Sequence, residues 1–199
     1  MLPVSALLPV FVSLLLLVLP ASPTDGEEGA SLVAPLTLFA FDAPDEASWE
    51  VTNDGVMGGL SQGFIAIEGG TLRFTGELVT RGGGFTSIRT RASVDLSGYD
   101  GVELRVRGSG RTFEVEVDDG TRRGWRRVSR QAPFETTPEW TWVRVPFSAL
   151  GTSVWGQPVT AAPIDLAEVE AFGLYILDGI DGPFELEVDT MRAYRDAAD

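Results

Sequence analysis

The chain has no histidine and no cysteine, and its fifteen basic residues are all arginine, so lysine is absent too. Each absence excludes a chemistry. Without histidine there is no Ser–His or Cys–His nucleophile pair and no imidazole metal ligand. Without cysteine there are no disulfides, thiolate zinc sites or thiol catalysis. Without lysine there is no Schiff base, no Ser–Lys dyad and no phosphate-loop lysine. Carboxylates, hydroxyls and guanidinium groups remain. They leave a carboxylate-pair hydrolase or a carboxylate-held metal as the accessible chemistries, and the reading is of a chain that is not an enzyme.

The rest of the composition is ordinary for a globular protein: 199 residues, 44% hydrophobic and 22% charged, with a net charge of −14. So acidic a surface repels phosphate backbones, and nucleic acid is not an expected partner. Leu2–Leu19 carries no charge and is followed by the small, polar, acidic stretch PASPTDGEEGAS. This layout suits a signal peptide or membrane anchor over residues 1–22 and a flexible acidic linker over 23–34. A single domain over 35–195 and a tail over 196–199 complete the expected organisation. The domain is expected to be exported (periplasmic or secreted) or membrane-anchored. The first basic residue is Arg73, so flanking charge gives no orientation.

From residue 35 onward, short alternating apolar runs recur between Gly, Pro and Asp clusters. Leu36–Asp42 alternates, and Phe64–Glu68 and Thr71–Thr75 flank Gly69-Gly70, a pair suited to a tight hairpin turn. Gly101–Arg107, Thr112–Val117, Trp125–Arg130, Trp140–Phe147, Ala171–Asp178 and Phe184–Tyr194 read as further strands. Only Pro163–Glu170 suits a short helical turn. The pattern predicts an all-β fold, a β-sandwich or jelly roll.

Four groups of residues invite a functional reading. The arginines Arg122, Arg123, Arg126, Arg127 and Arg130 form a local basic patch that could hold an acidic partner, or pair across a hairpin with Glu114, Glu116 and Asp118. Asp178, Asp181, Asp165 and Asp189 could supply oxygen ligands for a structural Ca²⁺, or sit in solvated turns; no other cofactor is expected. Among the aromatics, Trp140 opens an alternating strand and is expected in the core, whereas Trp125 and Trp155 suit an exposed surface able to stack on a glycan. Arg81–Ser87 is glycine-rich but lacks the lysine and helix of a phosphate loop, so it reads as a bend before a strand.

The stretch from Trp49 through Asn53, Asp54, Gly55, Val56, Met57, Gly58, Gly59, Leu60 and Ser61 resembles the signature of the complex I intermediate-associated protein 30 family. Further blocks follow in order: Phe74–Gly76, Gly83–Arg89, Tyr99–Val102, Arg105–Gly108, Glu139-Trp140 with Val145–Phe147, and Gly182–Leu186. The resemblance covers residues 38–194. It implies a galactose-binding-like jelly roll and a non-catalytic assembly factor, or chaperone, whose partner is a protein such as a membrane respiratory complex subunit. Similar jelly rolls serve as carbohydrate-binding modules, which makes a glycan the alternative partner. The chain departs from the family pattern at Phe113, where tyrosine is frequent, at Val154-Trp155-Gly156, and in its signal-like N-terminus. A domain exported from a bacterial cytoplasm would face away from the side that corresponds to the mitochondrial matrix. Within the signature, Asn53 and Asp54 are expected to bond local backbone amides in an Asx-type turn, with Met57 packed inward.

Overall fold

The computed structural model describes residues 34–43 and 45–196, with the side chains of Val56 and Met57 outside the description. The proposed signal or anchor segment, almost all of the linker and the last three residues of the tail therefore lie outside the described residues.

Among the described residues, fifteen strands make up most of the fold: β1 (Leu36–Phe39), β2 (Trp49–Asn53), β3 (Gln62–Glu68), β4 (Thr71–Leu78), β5 (Thr86–Val94), β6 (Gly101–Gly108), β7 (Thr112–Asp118), β8 (Arg122–Arg123), β9 (Arg126–Arg127), β10 (Ser129–Glu135), β11 (Thr141–Pro146), β12 (Gly151–Val154), β13 (Gln157–Pro158), β14 (Val169–Ile176) and β15 (Gly182–Tyr194). One sheet runs β11–β6–β15–β4–β3, with β1 pairing the far end of β15 beyond β4. The other runs β13–β12–β10–β7–β14–β5–β2, and β8–β9 forms a separate ribbon. The pairings within both sheets are antiparallel. The result is an all-β sandwich of the galactose-binding-like jelly-roll type.

The period of two in the sequence builds this core. Val102, Leu104 and Val106 of β6, Leu72 and Phe74 of β4, and Leu186 and Val188 of β15 point inward from one sheet. They meet Phe113, Val115 and Val117 of β7, Phe172 and Leu174 of β14, and Ile88 of β5 from the other. Phe74, Phe113 and Phe184 pack edge to face or tilted, at centroid separations of 5.0–6.5 Å. Fully burying each large apolar side chain is worth about 1.5–3 kcal/mol, so these layers carry most of the fold's stability.

Gly69-Gly70 makes the β3–β4 hairpin turn with both φ angles positive, 60° and 76°, as that dipeptide predicts. The short helical turn is present as a single 3₁₀ turn, Leu166–Glu168, capped by the Asp165 side chain. Two expectations need correction. The run Trp125–Arg130 is not one strand: it closes the β8–β9 ribbon, passes through Val128 and then starts β10. Trp140 is not in the core. It lies half-buried outside, with the Arg105 and Arg107 guanidiniums over its ring at 5.3 and 4.9 Å. The strand that it precedes turns Val143 and Val145 inward, which leaves this edge indole to its arginine neighbours.

Candidate functional site

The signature residues sit at one end of the sandwich, where β2 leads into a 3₁₀ turn, Asp54–Met57. The Asp54 side chain is completely buried. Its carboxylate accepts from the Ser61 amide (3.0 Å), the Ser61 hydroxyl (2.8 Å), and the amides of Gly84 (2.7 Å) and Phe85 (3.3 Å). Burial pushes this carboxyl up, but the donors from Gly84, Ser61 and Phe85 outweigh it and hold Asp54 below its ordinary value. Gly59 and Gly83 explain the approach: a Cβ on either would fall inside 3.0 Å of the Asp54 side chain. Asn53 Oδ1 accepts from the Gly63 amide (3.0 Å) and the Thr86 hydroxyl (2.6 Å).

Asn53 and Asp54 thus bind backbone amides, but not in a local Asx-type turn. Their partners lie 7 to 33 residues away, because the glycine-rich bend at 81–85 folds back over the signature. Gly55 and Gly58 shape the 3₁₀ turn and its left-handed end; the inward packing expected of Met57 lies outside the described residues. With four donors committed to its carboxylate, Asp54 is arranged as a structural tie.

A second polar cluster covers the outer face of the seven-stranded sheet. Arg89, Gly173 and Glu116 lie in one row across β5, β14 and β7. Arg89 passes over Gly173 to reach Glu116 at 3.0 Å and Asp118 at 2.7 Å. A side chain at 173 would collide with Tyr175, Arg89 and Glu116. The Tyr175 hydroxyl donates to Glu116 Oε2 at 2.9 Å. Burial raises the Glu116 carboxyl, against the lowering effect of Arg89 and Tyr175; burial alone raises Glu114. Beside this cluster opens a cleft of about 820 Å³, lined by Glu50, Thr52, Arg91, Arg122 and Glu170 among others.

The structure brings together three of the predicted surface residues. Trp125 and Trp155 are 72% and 64% exposed and meet edge to face at 5.3 Å. Arg126 stacks over both, at 5.1 and 4.2 Å. Arg122 and Arg123 are exposed on the same ribbon. The expected cross-strand pairing of these arginines with acids holds only for Arg127, bonded to Asp118, while Arg130 reaches Asp119 at 3.2 Å. Within the ribbon, Arg122 faces Arg127 and Arg123 faces Arg126.

Among the described residues, no three of the four aspartates weighed for Ca²⁺ are placed to share a metal. Asp178 pairs with Arg111 at 2.6 Å, Asp189 with Arg105 at 3.0 Å, Asp181 accepts from the Thr80 amide at 2.6 Å, and Asp165 caps its 3₁₀ turn.

The profile of the complex I intermediate-associated protein 30 family matches residues 39–188, which span both the signature turn and the bend that closes over it. The chain belongs to the complex I intermediate-associated protein 30 family. The mitochondrial protein of that name from Mus musculus is 30% identical over 77% of this chain and 54% of its own length, and that from Drosophila melanogaster 25% identical over 76% and 60%. The chain therefore spans little more than half the length of these relatives. Among solved structures, the family 11 carbohydrate-binding module of a Clostridium thermocellum cellulase shares the fold with a TM-score of 0.61. It is 13% identical, covering 85% of this chain and 99% of the module. An agarase, AgWH50C, reaches 0.56 at 15% identity over 83% of this chain and 25% of its own. Thus a domain of the complex I intermediate-associated protein 30 family and a carbohydrate-binding module share an architecture.

Proposed function

We propose that this chain is a non-catalytic binding domain that acts as an assembly factor for a protein partner, a subunit or intermediate of a membrane respiratory complex of the complex I type. The family match across residues 39–188 carries this reading, since the relatives are named for association with complex I intermediates. The site chemistry supports it: the carboxylate of Asp54 is occupied by three backbone amides and the Ser61 hydroxyl, as a structural tie would be. The test is a strain lacking the gene. Native gels are expected to show complex I subassemblies accumulating at the expense of the mature complex, with the tagged protein co-purifying with those subassemblies. Normal complex I together with no subunit recovered would overturn the reading.

The cleft beside Arg89 and Glu50 favours a second reading, a carbohydrate-binding module, because a polar groove on the outer sheet face offers hydrogen bonds to hydroxyl groups. The tip tryptophans support it less, since Arg126 already occupies their faces. Glycan arrays test it, and binding that survives Arg89→Ala and Glu50→Ala would exclude the cleft. Export or membrane anchoring belongs to the same proposal. The relatives are mitochondrial, and among the described residues no helix is long and apolar enough to cross a membrane. A reporter fused after residue 199, with sequencing of the mature N-terminus, decides the side on which the domain works.

A further inference from the structure

Two neighbouring hairpins each place a tryptophan in a two-residue turn. Trp125 follows Gly124 between β8 and β9; Gly124 has φ 65°, and a leading glycine suits a type II′ turn. Trp155 and Gly156 connect β12 to β13 with φ angles of 53° and 71°, so both central residues are left-handed, as in a type I′ turn. That first position normally takes Asn, Asp or Gly. A tryptophan there adopts a backbone that bulky residues avoid, and it projects into solvent. No core contact explains the choice.

The ribbon beneath is unfavourable by itself. Both of its rungs set arginine against arginine, Arg122 opposite Arg127 and Arg123 opposite Arg126, and like charges directly opposite destabilise a strand pair. Asp118 neutralises Arg127, but among the described residues Arg122, Arg123 and Arg126 have no carboxylate within 4.0 Å, although most of the chain's other arginines do. On a protein of net charge −14, three guanidiniums without a carboxylate partner among the described residues, beside two exposed indoles, form a local basic patch. The arrangement calls for an anionic counterpart with an apolar layer next to it.

We propose that this tip, Arg122, Arg123, Trp125, Arg126 and Trp155, docks on an anionic phospholipid surface, with the indoles at the headgroup boundary and the guanidiniums on the lipid phosphates. Indoles favour the membrane–water interface, and arginines favour an anionic leaflet. The apolar layer favours a lipid surface over an acidic protein: the two indoles expose roughly 300 Å² between them at the ends of the turns, and exposed indoles beside arginines suit the headgroup boundary of an anionic leaflet. The docking goes beyond the assembly role and does not depend on it.

The test uses the full chain with vesicles whose acyl chains are brominated, which quench indoles that reach them. None of the five tryptophans precedes residue 49, so the signal is blind to the hydrophobic N-terminal stretch. With phosphatidylcholine–phosphatidylglycerol vesicles, the protein is expected to lose up to about two-fifths of its tryptophan emission, the share of two indoles among five. Pure phosphatidylcholine should leave the emission unchanged. Trp125→Phe with Trp155→Phe should abolish the loss, and Arg122→Gln, Arg123→Gln and Arg126→Gln together should reduce it several-fold, with urea midpoints confirming that both variants fold. Equal quenching in the wild type and the double tryptophan variant, or on neutral and anionic vesicles alike, would overturn the proposal. So would a response of the tip tryptophans to soluble polyglutamate with none to brominated vesicles, which would mark the tip as a contact for acidic protein.

Discussion

The signature turn and the tryptophan tip are both made of tight turns, glycines and side chains of high chemical potential, yet they treat their polar groups in opposite ways. At the signature, a buried carboxylate meets four donors, and two glycines are shaped around it. At the tip, guanidiniums oppose one another and indoles stand in water. The first arrangement is complete within the molecule. The second becomes favourable only when something else arrives. A glycine-rich motif can thus be architecture, while the part open to a partner is a ribbon with no motif at all.

The largest expected effect is at the tie. Asp54→Ala strands several buried amides and should lower stability by about 3–5 kcal/mol, read from urea unfolding. Asp54 is held below its ordinary value in the folded state, so its contribution is present above the unfolded value and is lost as pH falls through the folded one. Asp54→Asn should therefore flatten the acid limb of the stability curve. Next, Gly59→Ala forces a methyl group into the carboxylate and should cost about 2–3 kcal/mol, although no contact in the native protein is removed.

The outer sheet face lies between the two extremes and should respond with the opposite sign to pH. Glu114 is raised by burial with no compensating partner, so the folded state holds its proton longer than the unfolded one. Its cost grows as pH rises above the ordinary glutamate value. Glu114→Gln should stabilise the protein at neutral pH by about 1 kcal/mol or less, the side chain being partly exposed. It should leave the stability unchanged in acid; a loss at neutral pH would contradict this account. The smallest effect separates the two regions most sharply. Trp155→Asn puts the residue preferred by the turn at a strained position and should leave stability equal or up to about 1 kcal/mol higher, by thermal unfolding. A loss of several kcal/mol would make the tip another structural tie.

The sheets were legible because alternation and turn dipeptides are local signals. Leu36–Phe39, the Gly69-Gly70 hairpin and the Thr112–Val117 strand all follow from neighbours along the chain. The Asp54 tie was not legible, because its donors at Gly84 and Phe85 come from a bend 30 residues away, and each glycine cluster taken alone reads as a turn. The row Arg89–Gly173–Glu116 was hidden in the same way: it exists only through register, and the tyrosine that completes it reads in sequence as one more aromatic. Trp125 and Trp155 were identified as surface residues, but their meeting depends on two hairpins separated by some thirty residues. Trp140 was misplaced because its apolar character was weighed over its parity: with Val143 and Val145 inward, alternation puts residue 140 on the outer face.

The Asp54 carboxylate joins a turn after β2, the start of β3, and the bend before β5, so its bonds to Gly84 and Phe85 cannot form until a bend some 30 residues away has folded back over the turn. Such a long-range tie is expected to close late, after the sheets have assembled. Weakening such a latch leaves the approach to the native state nearly unchanged and shortens its lifetime. In stopped-flow chevrons, Asp54→Asn should raise the unfolding arm while the refolding arm stays in place. The glycines of the signature would then set how long the domain stays folded, and have little influence on how fast it gets there.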